Sequence, residues 1–233
     1  MEAIILAGGL GTRLKEAVPD LPKPLAPING SAFLDILLKQ LSLFQIISKA
    51  ILAVGYRANQ IIDHYAQYKS LIPLAFSLEE TPLGTGGAIK KALSLTTSEL
   101  VLILNGDSYL DFSLSALIHK QQEMDADIVF TSLEVEDVSR YGKLVIDKEN
   151  NRILSFEEKS AQKEKGSISG GVYLAKRSIF NSLSFGDVFS LEKDLFPSLL
   201  QKKIYTSPCA GTFIDIGTPD SFKRAQTLLN QLA

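Results

Sequence analysis

A chain of 233 residues is long enough to bury a sizeable core, as one α/β domain or as one domain with an elaborated second half. Its net charge of −2 gives no electrostatic reason to expect a nucleic-acid or membrane partner, and no apolar run approaches the roughly 20 residues of a membrane span. The single cysteine, Cys209, excludes an internal disulfide, and no cluster of cysteine and histidine has the spacing of a zinc site. Glu2 lies where the basic region of a signal peptide would be, so we expect a cytoplasmic protein.

The first half of the chain predicts alternating strands and helices. Continuously apolar segments, typical of strands covered on both faces, occur at residues 3–7, 50–54 and 100–104, and residues 74–78 are predicted as a further strand. Apolar residues at helical spacing predict helices at residues 33–41 and 59–68, and a further helix from Gly84 to about Leu95. This alternation predicts a mostly parallel sheet with right-handed crossovers.

The second half has a different pattern, in which strands predominate after one more helix at residues 114–124. Strands are predicted at residues 128–135, 142–146, 153–157, 167–175 and 213–216, with a hairpin loop at 147–151. Helices are predicted near residues 176–183, 191–201 and 219–232. We therefore expect a single domain, residues 1–233, with a nucleotide-binding half (1–110) and a mixed half that covers the second substrate (111–233).

The glycine loop at residues 8–13 and the Pro-Lys-Pro turn at residues 22–24 carry the strongest chemical signal. Glycine amides can approach phosphate oxygens closely, and the guanidinium of Arg13 can bind two of these oxygens at once. Lys23, between two prolines, is suited to a positioned point charge. The loop is not a dinucleotide fingerprint, because Leu14 holds the third glycine position, and no Gly-Lys-Ser/Thr follows as in a P-loop. A glycine-rich turn with a surface arginine is the alternative interpretation.

Two aspartates are candidate ligands of a metal ion. Asp107 follows the most apolar strand, at the edge where open α/β sheets bind their ligands, and Asp215 lies between apolar neighbours. Aspartate oxygens can hold Mg²⁺, the usual partner of a nucleoside triphosphate. Asn105-Gly106-Asp107 also has the composition of a turn, and the sequence does not show that the two carboxylates meet.

The second half offers candidate contacts to an acceptor substrate. Lys159 could bind a second phosphate, although the adjacent charges at residues 157–159 are also typical of a solvated strand end. Glycines in or beside strands at Gly142 and at residues 170–171 often mark close approach of the backbone to a ligand, or a bulge.

Taken together, the order and spacing of these motifs resemble the sugar-1-phosphate nucleotidyltransferase family over essentially the whole chain. The motifs are Gly8-Gly9-Leu10-Gly11-Thr12-Arg13, Pro22-Lys23-Pro24, Pro82-Leu83-Gly84-Thr85-Gly86-Gly87, Asn105-Gly106-Asp107, Glu157-Glu158-Lys159 and Asp215-Ile216-Gly217-Thr218-Pro219. The segments at residues 18–28 and 79–89 are most similar to the guanylyltransferases that act on D-glycero-α-D-manno-heptose 1-phosphate. The resemblance implies a three-layer, Rossmann-like α/β fold with a mostly parallel central sheet and a mixed sugar-binding second half.

The resemblance also implies roles for individual residues. Arg13 would hold the leaving pyrophosphate, Lys23 the phosphoryl group in transfer, and Asp107 with Asp215 a Mg²⁺ ion; Arg13, Lys23 and Asp107 form the expected catalytic set. The expected nucleotide contacts are Ala7, Gly8, Gly9, Gly11, Thr12, Arg13, Glu80 and Gly84. The expected sugar-phosphate contacts are Asn105, Gly142, Glu158, Lys159, Ser169 and Gly171. Ser169 departs from the family pattern, in which many members have Asn before this pair of glycines, and this leaves the sugar open.

The reaction implied is transfer of a nucleotidyl group from a triphosphate to a sugar 1-phosphate, with NTP and sugar 1-phosphate as the partners and a monomer or homodimer as the assembly. It needs no general base, because a phosphate monoester has a second pKa of about 6 and is already ionised near neutral pH. The same chemistry with mannose 1-phosphate and GTP, or with N-acetylmuramate or hexose 1-phosphate and UTP or dTTP, is an alternative. A nucleotide-sugar-binding module without turnover is a second alternative, from another functional class.

Overall fold

The computed structural model describes residues 1–157, 163–181 and 185–232, which form an α/β fold around one large sheet. The strands, in chain order, are β1 (Glu2–Leu6), β2 (Pro27–Ile28), β3 (Ser31–Ala32), β4 (Lys49–Val54), β5 (Leu74–Leu78), β6 (Leu100–Asn105), β7 (Ser108–Leu110), β8 (Ile128–Val135), β9 (Lys143–Ile146), β10 (Ile153–Glu157), β11 (Gly166–Lys176), β12 (Ile204–Pro208) and β13 (Phe213–Asp215). The α-helices are α1 (Phe33–Ser42), α2 (Ala58–Gln67), α3 (Gly84–Ala92), α4 (Leu114–Met124), α5 (Phe196–Ser198) and α6 (Pro219–Leu228).

The large sheet contains strands from both halves of the chain. Its main path runs β10-β9-β11-β6-β1-β4-β5, and β8 joins it beside β11 with β12 on its other side. In the first half, β1 pairs in parallel with β4 and β6, and β4 pairs in parallel with β5. In the second half, β11 runs antiparallel to β6 and β8, while β12 pairs in parallel with β8. The mostly parallel first half and the mixed second half confirm the predicted fold class.

Apolar cores on both faces of the sheet make the fold three-layered. Successive strand residues point to opposite faces, so Ile5 and Leu52 pack with α1, α4 and α6, while Ile4 and Ile51 pack with α3 and the 189–199 segment. These four side chains are fully buried. Continuously apolar strands are therefore explained by burial from two sides, as the sequence predicted. No helix in the described residues is long and apolar enough to cross a membrane.

Several elements differ from the sequence prediction. Residues 191–201 do not form one helix: a π-helical turn at Leu191–Leu195 precedes the short α5, where Pro197 lies in the first turn. The predicted helix near residues 176–183 is a 3₁₀ turn at Arg177–Phe180, and residues 182–184 lie outside the described part. The helices predicted to reach Leu95 and Leu232 end at Ala92 and Leu228. The strands β2, β3, β7 and β12 were not predicted; each has five residues or fewer.

The C-terminal part of the chain returns to the nucleotide-binding half. β13 pairs antiparallel with β7, and α6 follows it with Thr218 as its cap. On α6, the Gln226 side chain accepts a hydrogen bond from the Asn29 amide and donates one to the Pro27 carbonyl oxygen, and the Asn29 side chain donates to the Gln226 carbonyl oxygen. The β2–β3 hairpin, which directly follows the Lys23 turn, is therefore held by the last helix.

Candidate active site

A cleft of about 640 Å³ opens at the carboxyl ends of β1, β4 and β6. It lies where the strand order changes direction, the usual place for ligands in an open α/β sheet. Of the predicted site residues, those that line it are Ala7, Gly8, Gly9, Gly11, Thr12, Arg13, Lys23, Glu80, Gly84, Asn105 and Asp107. The cleft therefore brings together the whole predicted nucleotide set, which comes from residues 7–13 and 80–84 of the chain.

The glycine loop places Arg13 and Lys23 on one side of this cleft. Gly11 has a φ of +59°, and a Cβ there would lie 3.1 Å from the Cβ of Lys23, so the loop packs directly on the Lys23 turn. Arg13 follows in a 3₁₀ turn, Thr12–Leu14, and Lys23 begins a second one, Lys23–Leu25. An Nη of Arg13 and the Nζ of Lys23 both lie 3.5 Å from the point where a Cβ on Gly217 would sit. The two cations thus converge on one small region.

Lys23 makes its closest contact with the predicted metal ligand Asp107. The Lys23 Nζ lies 2.6 Å from Asp107 Oδ2. The Lys23 side chain is 11% exposed, whereas the Asp107 side chain is 47% exposed and lines the cleft. A buried lysine beside a half-exposed carboxylate gives a fixed positive charge at the edge of the ligand space.

Asp215 lies beside Asp107, because β13 pairs with β7 and the Ile216 amide donates to the Asp107 carbonyl oxygen at 2.9 Å. The Asp215 carboxylate accepts hydrogen bonds from Arg140 (3.0 Å to each oxygen), the Tyr141 hydroxyl (2.6 Å) and the Gly217 amide (2.9 Å). Burial by itself would raise the pKa of Asp215, but the bonds from Tyr141 and Gly217 and the charges of Arg140 and Lys23 outweigh it and lower this pKa. Asp215 is therefore ionised at neutral pH, and its charge is paired with Arg140 although its sequence neighbours are apolar.

The two aspartates suit Mg²⁺, which prefers oxygen ligands and is usually bound through one or two protein carboxylates together with substrate phosphates. The described residues contain no cluster of three or more His, Cys, Asp or Glu side chains arranged to hold a metal ion.

Glu79, which the sequence analysis did not select as a site residue, also lines the cleft. One Glu79 oxygen accepts a hydrogen bond from the Leu83 amide at 3.1 Å, and the other lies 2.7 Å from the point where a Cβ on Gly8 would sit. Burial raises the pKa of Glu79, opposed by the Leu83 amide and the charge of Lys91. Glu79 comes directly after β5, a position that a strand-end argument like the one for Asp107 could have found.

The glycines at the start of α3 serve packing more than ligand binding. The Phe189 carbonyl oxygen accepts hydrogen bonds from the Gly86 amide (2.9 Å) and the Gly87 amide (3.3 Å). A Cβ on Gly87 would lie 2.1 Å from the Asp187 carbonyl oxygen. Gly84 lines the cleft as predicted, but the amides behind it are already satisfied by the chain.

Unlike the predicted nucleotide contacts, the predicted sugar-phosphate residues do not all line the cleft. Asn105 lines the cleft, and its side-chain nitrogen lies 3.0 Å from the point where a Cβ on Gly171 would sit. Ser169 donates a hydrogen bond to the buried Tyr173 hydroxyl at 3.2 Å, on the same strand as Gly171. Gly142, Ser169 and Gly171 do not line the cleft, and Glu158 and Lys159 lie outside the described residues.

Comparison with known proteins agrees with this geometry. The family model described as Nucleotidyl transferase matches residues 2–231. The chain is 40% identical to the D-glycero-alpha-D-manno-heptose 1-phosphate guanylyltransferase of Aneurinibacillus thermoaerophilus over 97% of each chain, and 39% identical to the protein of that name from Campylobacter jejuni over 95% of this chain and 97% of the relative. The crystal structure of HddC from Yersinia pseudotuberculosis is similar, with a TM-score of 0.87 and 34% identity over 98% of this chain and 99% of that one; the same protein is also known complexed with GMP-PN.

Proposed function

The chain belongs to the nucleotidyl transferase family, and on that premise we propose that it transfers a guanylyl group from GTP to D-glycero-α-D-manno-heptose 1-phosphate. A phosphate oxygen of the sugar bonds to the α-phosphorus of GTP, the bond from that phosphorus to the bridging oxygen breaks, and pyrophosphate leaves with that oxygen. The observation that carries the proposal is the convergence of Arg13, Lys23 and Asp107 on a cleft lined by the glycine loop. The heptose guanylyltransferases at 40% and 39% identity support the choice of substrates.

The chain's part in this reaction is to position the two substrates and stabilise charge. The nucleophile is an ionised phosphate oxygen, so no side chain has to remove a proton. In-line attack depends on both phosphates being held in register. We assign Arg13 to the leaving pyrophosphate and Lys23 to the phosphoryl group in transfer, because a fork of donors and a point charge suit these tasks respectively.

Asp107 and Asp215 are the residues that would hold Mg²⁺. Asp107 directly precedes β7, Asp215 ends the paired strand β13, and both supply oxygen ligands only, which fits this ion. The chemistry expected of it is neutralisation of negative charge on the triphosphate.

Guanine selection is assigned to Glu79, which lines the cleft beside Gly8. Guanine presents two neighbouring donors, the N1–H and the 2-amino group, whereas uracil and adenine do not offer this pair. A carboxylate is an acceptor only, so it suits two donors. Glu80, which is exposed and also lines the cleft, is proposed to lie beside it.

The sugar phosphate is proposed to lie against the second half of the chain, at Asn105, Gly142, Glu158, Lys159, Ser169 and Gly171. We further propose that the enzyme acts in the cytoplasm as a monomer or homodimer, and that its GDP-heptose is used for a surface polysaccharide such as a capsule or lipopolysaccharide.

A substrate panel tests this function. GTP, ATP, UTP and dTTP would each be combined with heptose 1-phosphate, mannose 1-phosphate, N-acetylmuramate 1-phosphate and glucose 1-phosphate, and pyrophosphate release measured. We expect the highest kcat/KM for GTP with heptose 1-phosphate. A preference for another pair contradicts the substrate assignment, and tight GTP binding without pyrophosphate from any pair favours a binding module instead.

A further inference from the structure

Arg140 contacts the proposed metal ligand Asp215, yet neither the glycine loop nor the metal pair accounts for it. One Arg140 Nη donates to both oxygens of the Asp215 carboxylate at 3.0 Å. The Arg140 side chain is 40% exposed, whereas that of Asp215 is 16% exposed. The arginine therefore reaches from solvent onto a nearly buried carboxylate.

The Asp215 carboxylate has little capacity left for another partner. A carboxylate offers about four lone-pair sites. Oδ1 accepts from the Gly217 amide and from Arg140, with the Ser221 hydroxyl at 3.3 Å, and Oδ2 accepts from the Tyr141 hydroxyl and from Arg140, so about four sites are taken. A cation that binds Asp215 must therefore replace one of these donors.

Arg140 is the donor that can leave most easily. Gly217 and Ser221 are fixed by the chain that leads into α6, and the Tyr141 ring packs edge-on against Phe213 with 5.8 Å between ring centroids. The backbone at Arg140 is held in a turn, since the Tyr141 amide donates to the Val138 carbonyl oxygen at 2.8 Å. Only the arginine side chain has to move, and it is also the only one of the four donors whose charge would repel an arriving cation.

The same pairing occurs at the other proposed metal ligand, where Lys23 contacts Asp107 at 2.6 Å. Each carboxylate thus has a side-chain cation of its own. Lys23 is largely buried and is assigned to the transferring phosphoryl group. It would therefore still have a partner in the cleft if a metal ion took its place on Asp107. Arg140 lies two residues before Gly142, a proposed contact of the sugar phosphate.

We propose that Arg140 is a displaceable cation: it occupies Asp215 in competition with the metal and, once replaced, binds the phosphate of the sugar 1-phosphate. A guanidinium fork matches phosphate oxygens, so the exchange converts an internal ion pair into a substrate contact. This inference rests on the proposed function for the metal role of Asp215 and for the identity of the acceptor.

The first test measures the binding of Mn²⁺ alone, from the free-ion signal in electron paramagnetic resonance. Arg140→Met should bind Mn²⁺ about fivefold or more tightly than the wild type, because a charge-assisted hydrogen bond no longer has to be broken. Arg224→Met is the matched control: in the described residues Arg224 makes no hydrogen bond or ion pair, but it lies close enough to influence Tyr141. In an Asp215→Asn background, Arg140→Met should leave Mn²⁺ affinity unchanged.

Unchanged or weaker Mn²⁺ binding by folded Arg140→Met overturns the proposal, because it would make Arg140 a support for Asp215. Equally tighter Mn²⁺ binding by Arg224→Met also overturns the proposal, since a general charge effect would then explain the result.

The second test is kinetic. Arg140→Met should raise the KM for the sugar 1-phosphate about tenfold, with the KM for GTP little changed. An unchanged KM for the sugar 1-phosphate contradicts the proposal that Arg140 binds the phosphate of this substrate. The Mn²⁺ titration requires no turnover, so it decides on Arg140 even if no substrate pair in the panel reacts.

Discussion

Lys23 is the residue on which the proposed chemistry depends most directly. Replacing it, as in Lys23→Ala, should lower kcat by about 10²- to 10³-fold, the usual cost of removing one preorganised charge from a transition state. The fold should be little affected, because its partner Asp107 is half-exposed and can be solvated. Pyrophosphate release gives the rate and thermal unfolding by circular dichroism checks the fold. Turnover close to the wild-type rate would remove Lys23 from the mechanism.

Glu79 should determine the choice of base. Glu79→Gln replaces one acceptor with a donor, so we expect kcat/KM for GTP to fall by about 10- to 100-fold, with much less change for inosine triphosphate, which lacks the 2-amino group. Glu80→Gln is the matched comparison, since Glu80 lines the same cleft but is exposed. If Glu80→Gln has the larger effect, the base is recognised by the second carboxylate.

These residues also show what a single sequence can and cannot predict at this scale. Lys23 and Asp107 were predicted as site residues because glycine, proline and strand-end patterns are local, and both line the cleft. Glu79 was missed in favour of its neighbour, although it is the residue that directly follows β5 and a strand-end argument could have found it. Arg140 was missed altogether, because its contact with Asp215 joins positions 75 residues apart.

At the scale of elements, the N-terminus of α3 depends on close packing against the 187–189 segment. A Cβ on Gly87 would lie 2.1 Å from a backbone oxygen that cannot easily move, so Gly87→Ala should lower the free energy of unfolding by about 1–3 kcal/mol. Gly186→Ala is the control, since no atom lies within 4 Å of its Cβ position, and it should change stability by less than about 0.5 kcal/mol. Urea unfolding measures both; equal effects would show that this packing is not specific.

Strands with a sequence pattern of their own were predicted well, whether or not both faces are buried, and the missed strands all have five residues or fewer. Residues 74–78, 128–135 and 153–157 agree with β5, β8 and β10 to the residue. β12 was missed because its position is set by pairing with β8, not by a pattern of its own. The β2–β3 hairpin did have a local sequence signal, the pair Asn29-Gly30. Both residues have positive φ, as a type I′ turn requires.

At the scale of the whole molecule, the nine-stranded sheet combines strands from both predicted halves. β11 pairs with β6 of the nucleotide-binding half and with β8 of the other half, so one hydrogen-bonded ladder runs through the molecule. This continuity supports the proposal that residues 1–233 form one domain. It could not be read from the sequence, because it depends on long-range pairing.

The stability of this sheet should depend on pH through Glu2. This buried side chain accepts hydrogen bonds from the Thr97 and Ser98 amides and the Thr97 hydroxyl, which ties β1 to the segment before β6. Burial alone would raise its pKa, but the bonds from Ser98 and Thr97 lower the pKa from 4.5 to about 2. Its contribution is therefore fully present above pH 4.5 and is lost as the pH falls towards 2.

Glu2→Gln should accordingly lower the free energy of unfolding at pH 7 by about 1–3 kcal/mol, since a carboxylate partner of two backbone amides is lost. The difference between variant and wild type should shrink as the pH falls from 4.5 towards 2. Urea unfolding at a series of pH values measures it; a difference that is independent of pH would show that Glu2 is not the titrating group.

The contact between Gln226 and the β2–β3 hairpin has a consequence for how the protein is made. The hairpin follows the Lys23 turn, and its hydrogen bonds to Gln226 cross almost 200 positions of the chain. Asp215 likewise belongs to a late segment. The parallel strands of the first half precede α6 in the chain. The hairpin next to the Lys23 turn gains its hydrogen bonds to Gln226 only after α6 has left the ribosome. A chain terminated before Pro219 would lack Gln226 and, with α6, part of the core on one face of the sheet.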